Sequence, residues 1–394
     1  MNVPDSLTVA RSVGRATACT LATAIALAAA PRPAAAQMDS WGQIDLAAVH
    51  GYDTQWNRQI RGDDAFNEVR LRLFGQHWVN EQVGVFAELL FDIEARARVN
   101  GAYVVINDLF DQPWLGARVG LSPSLIGTHG MRSSYFNQSG LVGMPMLRSF
   151  RTTMDNGGRA TPDDLMRRKG ENRRDVPILY DACWNISWEL LGSIGSVSYD
   201  FGVTSGSVSN PLGPVGVPGV QFMGRLGYRP ALGVVLGLSA VHGPYIGESN
   251  PASDIRNVPV VEDPENWDQQ YLGLDVEVSR GTYEIFGEAY RNWYALPNVQ
   301  ERVAVQGAYL EARWWLLSDV FVAGRSEIMD FGGITVPTFT ELQDWDDDVR
   351  RFEAAIGYRM TREAIARLGY QRTTFTQGTD PRQNVLIAQI SAVF

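Results

Sequence analysis

Four histidines, His50, His77, His129 and His242, are the whole supply of imidazole in this 394-residue chain. A nucleophile needs such a base within hydrogen-bond reach, and the base needs a third group to orient it. Only "GTHGMRSS", residues 127–134, sets a histidine near serines, and it has no acid at a supporting spacing. Hydrolytic chemistry has no constellation to rest on. No His/Cys pair offers a zinc site. There is no glycine-rich phosphate cradle and no basic surface suited to nucleic acid. The acidic run from Asp344 to Asp348 could hold Ca²⁺ or bridge lipopolysaccharide through Mg²⁺, yet it reads first as a solvated loop. The expectation is no enzyme, no metal, no cofactor and no nucleic-acid partner.

What stands out instead is a concentration of cations. Residues 122–176 hold Arg132, Arg148, Arg151, Arg159, Arg167, Arg168, Lys169, Arg173 and Arg174 against Asp155, Asp163, Asp164, Glu171 and Asp175. Lys169 is the chain's sole lysine, and the chain as a whole carries −10. A basic segment inside an acidic protein focuses anions. The competing reading is that these arginines pair with neighbouring acids or bind lipid phosphates at a rim. An anion path through Arg148, Arg151, Arg167, Arg168, Arg173 and Arg174 is the sharper expectation.

Elements must position those charges, and the chain's period is two almost throughout. In "RFEAAIGYRM" (351–360), Phe352, Ala354, Ile356, Tyr358 and Met360 alternate with Arg351, Glu353, Ala355, Gly357 and Arg359. In "YDACWNISWELL" (180–191), Trp184, Ile186, Trp188 and Leu190 alternate with Cys183, Asn185, Ser187 and Glu189. Sixteen such segments are predicted as strands: 41–55, 67–79, 82–94, 99–109, 113–121, 177–192, 196–206, 220–229, 232–245, 267–279, 282–295, 302–317, 320–330, 349–360, 364–376 and 384–394. Tight turns such as "NEQ", "RGT" and "LSD" alternate with long connections at 56–66, 122–176, 207–219, 246–266, 331–348 and 377–383. Short turns at one end and long loops at the other is the layout of an all-β, antiparallel transmembrane barrel of about 16 strands. A mean hydropathy of −0.14 agrees, because only alternate residues would meet lipid. Arg70, Arg72 and Arg118 fall on the inner face in this pattern.

The two ends fit an exported protein. Residues 1–36 have Arg11 and Arg15, the apolar run "TACTLATAIALAAA" and small residues up to Ala36, the pattern of a cleaved signal peptide. Residues 37–394 then form one barrel domain. Removing Arg11, Arg15, Arg32 and Asp5 leaves a net charge of −12. The chain finishes on "NVLIAQISAVF", whose outer face would be Leu386, Ala388, Ile390, Ala392 and Phe394. In lipid every backbone group must pair, so this strand must close onto the first, near Trp41 to Val49. Phe394 and Ile390 are the expected closure signal, with a terminal aromatic of the kind barrel-assembly machinery reads.

A barrel of sixteen strands leaves an aqueous lumen, so what narrows it decides function. The connection 122–176 is far longer than ordinary structureless loops. It is the third long loop, and the expectation is that it folds inward as a constriction. Passive diffusion of small hydrophilic solutes or anions follows. A plugged structural or adhesive barrel and a channel specific for carboxylates remain open alternatives.

The stretches "GAYVVINDLF" (101–110), "LGARVGLSPSLIGTHG" (115–130), "GMPMLRSFRTTM" (143–154) and "VPILYDACWNISWELLG" (176–192) resemble the N-terminal half of the phosphate-selective porin O/P family. The resemblance implies a sixteen-stranded, trimeric barrel in the bacterial outer membrane that passes anions, in contact with membrane lipid and lipopolysaccharide. Phosphate-selective members of that family use an arginine ladder and a lysine cluster. Here the lysine cluster is missing, since Lys169 stands alone.

Overall fold

The computed structural model describes residues 38–51, 69–92, 97–128, 139–155, 157–158, 160–169, 176–179, 185–209, 217, 219–247, 263–376 and 382–394. Residues 1–36, read from the sequence as a signal peptide, lie outside them, as do Arg132, Arg159, Arg173 and Arg174.

The strands are β1 (Met38–His50), β2 (Val69–Trp78), β3 (Val83–Asp92), β4 (Ala97–Ile106), β5 (Leu115–Ser122), β6 (Asn185–Ile194), β7 (Val197–Ser205), β8 (Val220–Ala231), β9 (Val234–Pro244), β10 (Asp268–Arg280), β11 (Tyr283–Tyr294), β12 (Val303–Trp315), β13 (Val320–Phe331), β14 (Gly333–Ile334), β15 (Gln343–Asp344), β16 (Val349–Arg359), β17 (Ala364–Phe375) and β18 (Arg382–Val393). Sixteen of them close a barrel, each hydrogen-bonded to its neighbours along the chain. The two-residue strands β14 and β15 stand apart as a small ladder in the connection between β13 and β16. Among the described residues, no helix is long and apolar enough to cross a membrane.

Closure follows from the last strand. Phe394 N–H donates to Gly42 O at 2.9 Å, and Gly42 N–H donates to Phe394 O at 2.8 Å. Above that pair β1 and β18 run in register, with Leu46 opposite Ile390 and Ala48 opposite Ala388. The closed ladder leaves no sheet edge, which an apolar solvent requires. Gly42 is small for a reason: any Cβ there would strike the Phe394 ring.

The period-two pattern has the physical meaning expected of it. On β16, Phe352, Ile356 and Tyr358 point outward and are exposed, while Arg351 and Glu353 on the other face are buried. On β6, Ile186, Trp188 and Leu190 are outward. On β18, Leu386 and Ile390 are outward and Gln389 and Ser391 are inward and buried. The barrel is thus apolar outside and polar inside, the inverse of a soluble globule.

One expectation needs correction. The strand predicted over 177–192 is a strand only from Asn185 among the described residues. Pro177–Leu179 are instead buried in irregular structure, where Ile178 O accepts from Gln269 Nε2 at 3.2 Å. Alternation alone cannot separate a strand from buried irregular chain of similar composition. The long connection 122–176 also has some local order of its own. It carries α1 (Met146–Ser149) and α2 (Pro162–Arg168). Helix α2 begins with a reciprocal capping box between Thr161 and Asp164, with Pro162 at its first turn.

Candidate functional site

The inner wall is built from paired charges. At its centre is Arg325 on β13, whose side chain is fully buried. It reaches Glu311 on β12 at 3.0 Å, Glu327 on its own strand at 2.9 Å and Glu353 on β16 at 3.0 Å. Register creates this hub: Glu311 is the Cα partner of Arg325 on one side and Glu353 is its partner on the other. Opposite charges facing each other across strands are favourable, and once removed from water they require one another.

Other inward pairs repeat the theme. Arg70 Nε donates to Asp45 at 3.0 Å. Arg72 stands 3.7 Å from Glu88, both fully buried. Arg118 pairs with Glu189 and lies 3.2 Å from Asp200, with its guanidinium over the Tyr103 ring at 5.7 Å. Arg225 Nε donates to Asp275 at 3.0 Å, and Arg313 Nε donates to Glu284 at 2.7 Å. Not all of this wall is covered: the side chains of Asp200, Arg225 and Glu284 remain 25%, 19% and 23% exposed.

Thr128 and residues 139–146 of the long connection lie against this wall, and backbone amides make much of the attachment. Val142 and Gly143 N–H donate to Glu353 at 3.2 and 2.9 Å. Met146 N–H donates to Glu327 at 2.5 Å, and Thr128 N–H donates to Glu288 at 2.9 Å. In return Arg325 donates to Gly143 O at 2.8 Å, and Arg367 donates to Ser139 O at 3.2 Å. Irregular backbone away from water needs such partners, and bonds to a carboxylate are among the stronger kinds. Gly143 admits this approach because a Cβ there would collide with the Glu353 carboxylate.

Apolar packing completes the seat. Phe150 is fully buried, with ring centroids 5.9 Å from Phe331 and 6.4 Å from Phe375. Phe331 meets Trp345 edge to face at 4.8 Å. Leu147, Leu165, Val176 and Ile178 belong to the same buried cluster.

The arginines singled out from sequence fall into three environments. Arg148 is fully buried and donates to Ile126 O at 2.5 Å, and Arg151 is buried too. Arg167 is exposed and pairs with Asp164 at 3.1 Å, while Arg168 is half-buried. Arg70, Arg72 and Arg118 sit on the inner wall with the acids given above. Arg325, Glu311, Glu327 and Glu353 also fall on the inner face of the period-two pattern, but that pattern does not show them as one cluster. The spacing Arg325-x-Glu327 was the available signal.

The outer connection between β13 and β16 supplies a titrating group. Asp344 is exposed, yet partial desolvation by its surroundings, and then the nearby carboxylates Asp348 and Asp330 against the opposing Lys169, raise its carboxyl above its ordinary range. A raised carboxyl disfavours the charged folded form, so this group costs stability as pH rises through and above the ordinary carboxylate range. The β14–β15 ladder should therefore tighten on mild acidification. Asp344→Asn should remove that pH dependence, as read by hydrogen exchange of the ladder amides between pH 4 and 7, a range set about the ordinary carboxylate value.

No family model matches the chain, and no curated protein matches it. Solved structures do. An anion-selective porin from Comamonas acidovorans is similar over 91% of this chain and 100% of its own, at 10% identity and a TM-score of 0.57. The trimer form of OmpT, an outer membrane protein of Vibrio cholerae folded in vitro, covers 92% and 100% at 10% identity and 0.56. The outer membrane channel DcaP of Acinetobacter baumannii covers 91% and 98% at 11% identity and 0.55. At these identities the likeness is one of fold: the chain shares the closed β-barrel of outer-membrane porins and channels.

Proposed function

We propose that this protein is an outer-membrane porin through which small hydrophilic solutes diffuse passively, with a preference for anions. The observation that carries the proposal is the closed sixteen-stranded barrel with an apolar outside and an ion-paired inside. In this reading the chain is exported by the signal peptide 1–36, assembled from the Phe394 end by the barrel-assembly machinery, and held as a homotrimer. The trimeric form of one structural neighbour supports that last element. It catalyses no reaction and needs no cofactor.

The segment 122–176 is the proposed constriction. Its amide contacts with Glu327 and Glu353 hold it against β13 and β16. Its excess of cations, together with Arg70, Arg72 and Arg118, favours anions passing between it and the partly exposed wall at Asp200, Arg225 and Glu284. Chloride, phosphate and carboxylates all suit such a path.

One observation favours the plugged alternative: many inward side chains, among them Arg72, Glu311 and Arg325, are wholly buried. Planar-bilayer conductance separates the two. A porin conducts steadily after insertion, and a plugged barrel inserts without conducting.

A further inference from the structure

The arginines of the inner wall described above each reach a carboxylate or a carbonyl oxygen. Arg359 is different. It is the last residue of β16, on the same face of that strand as Arg351 and Glu353, at the short-turn end of the barrel. Its guanidinium lies 4.2 Å from the centroid of the Trp315 ring on β12. Among the described residues that guanidinium makes no hydrogen bond or ion pair. Neither Asp319 nor Glu363, the acids of the adjoining turns, pairs with it. A second cation stands at the same indole, Arg313 at 5.6 Å, but Glu284 already takes up its charge. Stacking fixes the plane of a guanidinium and leaves its N–H fork open to a carboxylate.

Beside Arg359 is a hollow of about 480 Å³ at the tight turns that follow β10 and β12. Trp315, Leu316 and Leu317 give it apolar walls, and the hydroxyls of Thr282 and Ser318 belong to the same lining. No acid lines it. Sites for small organic molecules have this make-up, mostly apolar with a few placed polar groups. An inorganic anion would occupy a small part of the hollow and leave the leucines in water.

We propose that this hollow binds a carboxylate that carries an apolar body the size of a benzene ring. The carboxylate sits on the Arg359 fork, a charge-assisted pairing of matched planar geometry. The body lies against Trp315, Leu316 and Leu317, and Thr282 and Ser318 offer donors to the remaining oxygen lone pairs. The short-turn end faces the periplasm in a barrel of this layout; that placement, unlike the site itself, rests on the outer-membrane reading. The site gives organic acids a stop on elements other than the proposed constriction at 122–176.

The test is fluorine NMR of 4-fluorobenzoate with the protein folded in detergent, with empty micelles as the blank. The wild type should broaden the 4-fluorobenzoate line, and unlabelled benzoate should displace it about tenfold better than inorganic phosphate does. Uncharged 4-fluorobenzyl alcohol should broaden no more than in empty micelles. Arg359→Gln should weaken 4-fluorobenzoate binding about tenfold, the loss of a charged hydrogen-bonding partner. Leu317→Ser, at an exposed turn residue, should weaken benzoate and leave phosphate unchanged. Heat-modifiable gel mobility checks that each variant has folded, and Leu317→Ser carries the test if Arg359→Gln does not fold. Wild-type binding in the folded variants overturns the inference. So does displacement by phosphate as effective as by benzoate, which would mean a site for bare charge, and so does equal binding of the alcohol. A protein that conducts in bilayers but leaves the 4-fluorobenzoate line unchanged sinks this inference only. One that binds 4-fluorobenzoate through Arg359 and carries no current keeps it and sinks the porin reading.

Discussion

Replacing Glu353 by leucine is expected to raise single-channel conductance and to destabilise the barrel together. Glu353 accepts four bonds: from Val142 and Gly143 amides, from Arg325 and from Gln371. Two of these fasten the long connection to the wall, and one neutralises a fully buried cation. Arg325 keeps Glu311 and Glu327, so the cost is that of the lost bonds and of the Val142 and Gly143 amides left without their acceptor, about 1–3 kcal/mol for each buried group unpaired. Part of that cost falls on the attachment of residues 142 and 143, so the segment should detach from β16 and widen the path. Glu353→Gln keeps one carbonyl acceptor and should show a smaller change in both readouts. The checks are bilayer conductance and the temperature at which the folded gel band is lost. Lower stability with unchanged conductance would mean that residues 139–149 do not border the path.

The second large effect concerns selectivity. The double substitution Arg148→Gln and Arg151→Gln removes two positive charges from the proposed constriction and should move the reversal potential toward cations. A tenfold salt gradient sets a limit of about 59 mV for a perfectly selective monovalent channel, and a shift of about 10 mV or more is expected. Glutamine is chosen over glutamate because Arg148 is wholly buried against Ile126 O. A carboxylate there would stand near an already acidic wall. Arg167→Gln is the comparison, since Arg167 is exposed and paired with Asp164. An equal shift per charge removed in the double variant and in Arg167→Gln would assign the effect to surface potential and not to the constriction.

Much of the fold was legible because the barrel's periodicity is simple. Each predicted strand overlaps an observed one, and the tight turns after β2, β10, β12 and β16 fell where expected. The closing contact between Phe394 and Gly42 followed from the demand that no edge be left open. The site was less legible. Glu311 opposite Arg325 could be counted outward from the tight turn between β12 and β13. Glu353 opposite Arg325 could not, because the connection from Phe331 to Val349 leaves register free. The burial of Arg148 and the seating of Pro177–Leu179 are set by packing against distant strands, which no local pattern records.

The most direct test of the central claim is the single-channel conductance of the folded protein, with its reversal potential in a potassium chloride gradient. The account predicts steady conductance and a potential favouring chloride. Conductance favouring potassium would contradict the basic constriction and give selectivity to the acidic wall. A folded, inserted barrel that carries no current would contradict the channel itself.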